Sequence, residues 1–286
     1  MKHIKIFIEL TRLNKPIGFM LLFWPCSWGL TLAYNFKIEP MFYFKYLILF
    51  LFGSILMRSA GCIFNDIVDR DLDKRVQRTK QRPIASKKIS LSKSFFYIIL
   101  LCLAALTILL QFNLLTIILG LSSMVLAFSY PFMKRITYWP QLFLGLTFNW
   151  GIIMGWTAIN NFISIEPIIL YLSAIFWTLG YDTIYGLQDL RDDEIIGVKS
   201  TSIKFKKNVK IFVGTCYSLC VFFILTLGTL MQTNKYLLLI SIFFIFSLIY
   251  QIKLFKINDS KSCLFSFKMN NLTGFLFFIF IFSFNF

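Results

Sequence analysis

The stretch FYFKYLILFLFGSILMRSAGCIFNDIVDRDLD, residues 42–73, decides how the rest of the chain is read. Residues 42–64 are apolar apart from Lys45 and Arg58, and a helix of about 20 such residues crosses the hydrocarbon layer of a bilayer. The run ends in Asn65, Asp66, Asp69, Asp71 and Asp73. Carboxylates placed where a helix leaves a membrane are costly, so they mark a candidate site. A second apolar run, 165–184, meets the same fate: it ends in Asp182, Tyr185, Asp189, Asp192, Asp193 and Glu194.

Working outward, apolar runs at 17–35, 94–111, 114–130, 140–159, 208–230, 236–255 and 271–286 join these two, giving nine expected spans. The composition agrees. Of 286 residues, 58% are hydrophobic and 15% charged, with a mean hydropathy of +0.74; soluble domains carry about 45–50% apolar and about 25% charged residues. The fold class expected is all-α: a polytopic membrane protein with nine transmembrane helices in a two-repeat bundle around a central cavity, forming one integral-membrane domain over 1–286. The net charge of +16 would suggest nucleic acid in a soluble chain. Here 25 of the 29 basic residues fall on alternate connections (the N-terminal arm, 65–93, 131–139, 185–210 and 253–270), so the charge follows the positive-inside rule. No nucleic-acid partner is expected. The same bias puts the N-terminus and long loops in the cytoplasm. Fewer than 20 residues precede the first span, short for an organellar presequence, and a bacterial inner (cytoplasmic) membrane is the location expected.

Several chemistries drop out. His3 is the one histidine, which leaves no base or ligand set built on imidazole. The six cysteines lack C-x-x-C spacing and lie mostly in apolar runs, as small buried hydrophobes do. No phosphate-binding glycine loop occurs, nor a D-G-x-x-A-R pattern of phosphatidyl transferases.

The acidic residues carry the signal. Nine of thirteen lie in the two windows, and a shift of 116 residues lays Asp66 on Asp182, Asp69 on Tyr185 and Asp73 on Asp189. Steps of three and four keep side chains on one helix face, so each window presents a stripe of oxygen ligands continuing its span. Like charges at that spacing repel unless cations share the space. Mg²⁺ suits such oxygens, being held by one or two carboxylates plus substrate phosphates; two facing stripes could hold two or three ions around a diphosphate. The plainer reading is a solvated helix end, with Arg70, Lys74, Arg75 and Arg78 pairing the Asp residues. A basic set (Arg70, Arg75, Arg78, Lys80, Arg82 and Lys199) could neutralise a diphosphate leaving group. Arg58, about two turns inside its span, wants an anionic partner. Lys134 and Arg135 follow Tyr130-Pro131 and read in part as a topology signal. The rings of Tyr130, Tyr181 and Tyr185 could stabilise a carbocation.

The two ladders resemble those of the UbiA superfamily of intramembrane prenyltransferases. Four blocks carry the resemblance: LTRLNKPIGFMLLFWPCSWGL (10–30), RSAGCIFNDIVDRDLDKRVQRTKQRPIAS (58–86), YPFMKRITYWPQ (130–141) and YDTIYGLQDLRDDEIIGVKST (181–201). The first, the third and the R-x-A-G-C run are similar to the branch that acts on 4-hydroxybenzoate. The resemblance implies Mg²⁺-dependent transfer of a polyprenyl group from polyprenyl diphosphate to the 3-position of 4-hydroxybenzoate, an early membrane step of ubiquinone synthesis. It implies Asn65, Asp66, Asp69, Asp73, Asp182, Asp189 and Asp193 as metal-binding residues, the six Asp also as catalytic, with Asn65, Arg70, Arg78, Tyr130, Tyr185 and Lys199 at the substrates. Arg135 or Arg58 would hold the aromatic carboxylate. Lys87 departs from the pattern, since Gly is expected after RPIAS, and this affects the turn there. Another aromatic acceptor, or a transporter binding ions at its acidic half-repeats, remains as an alternative.

Overall fold

Placing apolar helices side by side in a bilayer leaves their ends and crossings to fix the fold. The computed structural model describes residues 2–36, 40–232 and 239–285; part of the expected 236–255 span lies outside them. Among the described residues the chain is helical with no strand. In order, α1 (Lys2–Thr11), α2 (Ile17–Ala33), α3 (Pro40–Val68), α4 (Arg70–Asp73), α5 (Leu91–Leu109), α6 (Leu114–Ser129), α7 (Met133–Ile136), α8 (Pro140–Asn149), α9 (Gly151–Asn160) and α10 (Ile165–Gly186) make the first part. Then come α11 (Leu190–Ile196), α12 (Thr201–Lys204), α13 (Val209–Leu230), α14 (Ile240–Leu254), α15 (Ser260–Lys268) and α16 (Asn270–Phe282).

Among the described residues every expected span coincides with helix. Seven helical segments among the described residues are long and apolar enough to cross a membrane, while Ile17–Ala33 and Ser241–Leu254 are shorter apolar helices. The seven long segments and these two shorter ones together occupy the nine expected positions, and length alone establishes seven spans among the described residues. The segment expected at 140–159 is divided at Trp150 into α8 and α9, just before Gly151, where the absence of a side chain lets Cys26 Sγ come close. Helices start where the sequence offers an oxygen to free backbone N–H groups: Asn113 accepts from Thr116 N at 2.9 Å and Ser200 from Ile203 N at 3.2 Å. Asn161 closes α9 in the left-handed conformation (φ 54°).

Packing sorts the helices around α2 and α10. α2 lies against α9, α3 and α16, and α10 against α13 and α8, while α5 covers α3. The α2–α9 crossing is close enough to demand glycine. A Cβ on Gly29 would sit 2.0 Å from the Ile152 carbonyl oxygen, and one on Gly155 would sit 2.4 Å from that of Cys26. The large core runs through α2, α9, α10, α13, α14 and α16, and a smaller one (Leu10, Ala60, Ile63, Ile84, Ile98) fastens α1 and the 74–90 loop to α3 and α5. In the large core, Trp28 lies 5.2 Å from Trp177 and 4.4 Å from Phe277 between ring centres. Trp177 lies 4.8 Å from Tyr181, Tyr181 is 5.8 Å from Phe267, and Tyr185 is 4.5 Å from the same Phe267. This aromatic column rises through the bundle to the end of α10. The outward faces are apolar, as at Phe96, Ile99 and Leu103 on α5 and Leu121 and Val125 on α6, which suits lipid rather than water.

Candidate active site

Two breaks in the helical path form the site. α3 stops at Val68, and Asp69 (φ −94°, ψ 3°) turns the chain into α4. α10 stops at Gly186, a 3₁₀ turn covers Leu187–Asp189, and Asp189 (φ −111°, ψ 12°) turns the chain into α11. Both residues occupy the sparsely populated bridge between the helical and extended regions. Each is followed four positions later by another carboxylate on a short helix, Asp73 and Asp193. The backbone thus matches Asp69 with Asp189, a shift of 120 residues, where the sequence spacing suggests 116. The two registers differ by about one helical turn and keep the same face, so spacing alone does not separate them. The expected unbroken stripes are instead two bent ones.

Basic side chains occupy the spaces between the carboxylates. Asp66, Asp69 and Asp73 are 1%, 1% and 5% exposed. Arg12 Nη2 donates to Asp66 Oδ1 at 2.5 Å, and Arg82 Nη1 donates to the same atom at 3.2 Å and to the two Asp73 oxygens at 3.0 and 2.9 Å. Lys134 Nζ donates to Asp69 Oδ2 at 2.5 Å, while Arg135 lies 3.7 Å from Asp69 Oδ1 and donates to the Val68 carbonyl at 2.6 Å. Asp69 Oδ1 is buried and accepts no hydrogen bond. Burial pushes the Asp69 carboxyl above its ordinary range, with Lys134 pulling the other way.

The second ladder is reached from the first loop. Arg78 forks onto Asp189, with Nε at 2.8 and 3.0 Å from its oxygens and Nη2 also bonded to Oδ2. Its Nη1 donates to the Tyr185 hydroxyl at 3.1 Å, and the guanidinium lies 5.4 Å from the Tyr185 ring centre. Gln77 N donates to Asp192 Oδ2 at 3.0 Å. The ladders therefore face each other. Arg58 lies 5.2 Å from the Phe148 ring centre; its Nε is buried without a hydrogen bond, and its charge acts on both Asp66 and Asp182. Tyr130 lies within electrostatic reach of Asp182 and Arg58. Asn65 sits half-buried in the last turn of α3, and its carbonyl accepts from Asp69 N at 2.9 Å.

Two expected residues lie elsewhere. Arg70 points outward, 46% exposed, paired with the exposed Asp71, because the turn at Asp69 rotates it away. Lys199 donates to the Ile136 carbonyl at 3.0 Å and lies near the Tyr138 ring; it ties two loops rather than reaching a carboxylate. Sequence reasoning misses Arg12, whose partner is 54 positions away, and undervalues Lys134 and Arg82. A long-range pairing of this kind leaves no local periodic trace. The block 10–30 that carries the family resemblance does, however, include Arg12.

The donor set is oxygen throughout, as a hard cation such as Mg²⁺ requires, and the unpartnered Asp69 Oδ1 leaves binding capacity. Among the described residues no three His, Cys, Asp or Glu side chains already converge as a metal cluster; the basic residues hold the carboxylates instead. A cavity of about 560 Å³ opens at the rim beside Val68, Arg70, Leu72, Arg135 and Gly197.

The sequence profile of the UbiA prenyltransferase family matches residues 22–279. The chain belongs to that family. Among curated relatives, the 4-hydroxybenzoate polyprenyltransferase, mitochondrial, of Arabidopsis thaliana is 49% identical over 214 residues, 74% of this chain and 52% of that protein. The protein of the same name from Homo sapiens is 50% identical over 207 residues, 71% of this chain and 55% of that protein. The chain thus spans about half the length of the curated relatives it matches. Among solved structures, a UbiA homologue from Aeropyrum pernix superposes with a TM-score of 0.76 at 20% identity, covering 92% of this chain and 96% of the other. A UbiA homologue from Archaeoglobus fulgidus, bound to DMAPP and Mg²⁺, gives 0.73 at 17% identity, covering 97% and 98%. At those identities the likeness concerns the fold. The expected bacterial inner membrane is corrected: the curated relatives are named as mitochondrial proteins, which points to a mitochondrial membrane, and the length of the N-terminal arm does not bear on it. The multi-pass membrane character of this UbiA-family chain stands.

Proposed function

We propose that this UbiA-family chain transfers a polyprenyl group from polyprenyl diphosphate to the carbon of 4-hydroxybenzoate ortho to its hydroxyl. The observation that carries the reading is the meeting of the two acidic ladders, where Arg78 of the first loop holds Asp189 of the second. The names of the curated relatives support the acceptor, and the ligands of the Archaeoglobus fulgidus homologue support the donor and the metal.

Asp66, Asp69, Asp73, Asp182, Asp189 and Asp193, with Asn65, are the oxygens that would hold Mg²⁺. The chemistry a bound Mg²⁺ supplies there is neutralisation of the diphosphate, which makes it a better leaving group. Arg78 fixes Asp189 and Tyr185 together, and the rings of Tyr185 and Tyr130 are the aromatic groups that would stabilise a developing allylic cation. Arg58 holds the acceptor carboxylate: its guanidinium has no ion pair among the described residues, whereas Arg135 is committed to Val68 and Asp69. The ring carbon then attacks the cation and loses its proton to restore aromaticity. The aromatic column that runs along α10 keeps water from the cation. Membranes carrying the full chain, incubated with radiolabelled 4-hydroxybenzoate, a polyprenyl diphosphate and Mg²⁺, are expected to yield a lipid-extractable labelled product. No labelled product, with the protein folded and Mg²⁺ present, would overturn the assignment.

A further inference from the structure

The first ladder is charge-compensated without any metal. Three buried carboxylates, Asp66, Asp69 and Asp73, face Arg12, Arg82 and Lys134, with Arg135 at 3.7 Å from Asp69 as a fourth cation. One nitrogen of Arg82 serves oxygens of both Asp66 and Asp73, which is the bridging role a shared metal ion performs. Arg12 lies outside the stretch the family profile matches, 22–279, and reaches Asp66 from a left-handed backbone (φ 57°). α1 holds it there: Leu10 is fully buried and Phe7 packs edge-on against Tyr97 at 5.1 Å. A divalent cation added alone would have to displace these cations or leave net positive charge in a buried space, which is costly. A cation arriving with a diphosphate brings the anion those side chains need.

We propose that Arg12 and Arg82 are exchangeable counter-ions: they neutralise Asp66 and Asp73 in the absence of substrate and turn to the diphosphate oxygens when a metal–diphosphate arrives. This rests on the reading of the site as a metal–diphosphate site. It makes these two residues part of the diphosphate-binding set and couples metal affinity to the anion, since linkage is reciprocal. It also separates their effects by sign. Removing either residue frees carboxylate oxygens for a metal while taking a donor from the diphosphate.

The test measures Mn²⁺ binding to the purified full chain in detergent by electron paramagnetic resonance of free Mn²⁺, with and without inorganic pyrophosphate. The wild type is expected to bind Mn²⁺ weakly alone and about tenfold more tightly with pyrophosphate. Arg82→Ala is expected to bind Mn²⁺ alone several-fold more tightly and pyrophosphate about tenfold more weakly, the size of one lost charge-assisted hydrogen bond. Arg12→Gln should move both in the same directions, and it carries the test if Arg82→Ala does not fold. Lys74→Ala, in an exposed pair with Asp71, should move neither. Unchanged or weaker Mn²⁺ binding in a folded Arg variant, with the wild-type coupling intact, overturns the exchange and leaves the proposed function standing. A wild type that binds no Mn²⁺ even with pyrophosphate overturns both.

Discussion

Replacing Arg58 with alanine removes a half-buried guanidinium whose buried Nε has no hydrogen bond and which has no ion pair among the described residues. Its visible contact is the Phe148 ring at 5.2 Å, worth about 0.5–1 kcal/mol, so the substitution should cost the fold little. A forked guanidinium–carboxylate contact with the acceptor is worth about 3 kcal/mol, which is about a 100-fold loss in kcat/KM for 4-hydroxybenzoate. Arg58→Lys keeps the charge without the fork and should lose about tenfold. Initial rates in membranes, with each substrate varied at saturation of the other, separate the two constants. The acceptor KM should rise far more than the donor KM. Equal rises would refute the assignment and make Arg58 a counter-charge for Asp66 and Asp182, on which its field also acts.

Asp69→Ala combined with Asp189→Ala should abolish Mg²⁺-dependent product formation in the radiolabel assay, and retained turnover would remove the metal role of both ladders. Gly29→Ala should lower the melting temperature in detergent markedly or prevent folding, because its Cβ would lie 2.0 Å from a backbone oxygen and overpacking costs about 1–3 kcal/mol or more; Gly53→Ala, with its nearest neighbour at 3.9 Å, should be tolerated. Lys87 has φ 57°, a conformation costing a side-chain-bearing residue about 1–2 kcal/mol, so Lys87→Gly should raise the melting temperature slightly and Lys87→Val lower it.

Much of this is legible in the amino-acid sequence. The 42–64 and 165–184 runs had to be spans because nothing else accommodates such hydropathy, and carboxylates at their ends had to be functional or paired. They are paired, but not as a solvated helix end: Asp66, Asp69 and Asp73 are buried and held by Arg12, Arg82 and Lys134, while Arg70 and Lys74 meet only the exposed Asp71; the two ladders also face one another. Lys87 shows how a departure becomes informative: Gly is expected there because the turn after the loop takes a left-handed residue, and this chain places a lysine in that strained conformation. The breaks at Asp69 and Asp189 were hidden because a shift of one helical turn leaves the facing pattern unchanged. Arg12 was hidden because an ion pair between distant segments has no periodicity. The division at Trp150 follows from contact with α2, which hydropathy does not record.

The two walls of the site are fastened by different forces. The end of α10 rests on tilted and edge-on rings from Tyr185 down to Trp28, and such contacts are indifferent to dissolved ions. The turn at Asp69 is fastened by Arg12, Arg82 and Lys134 to buried carboxylates, whereas the loop beyond it is tied to the second ladder by the more exposed Arg78–Asp189 pair, whose attraction weakens as ionic strength rises. Salt therefore acts on the tie between the two walls rather than on the rings or the buried pairs, so the ionic environment of the membrane surface sets how firmly the first loop is held to the second ladder.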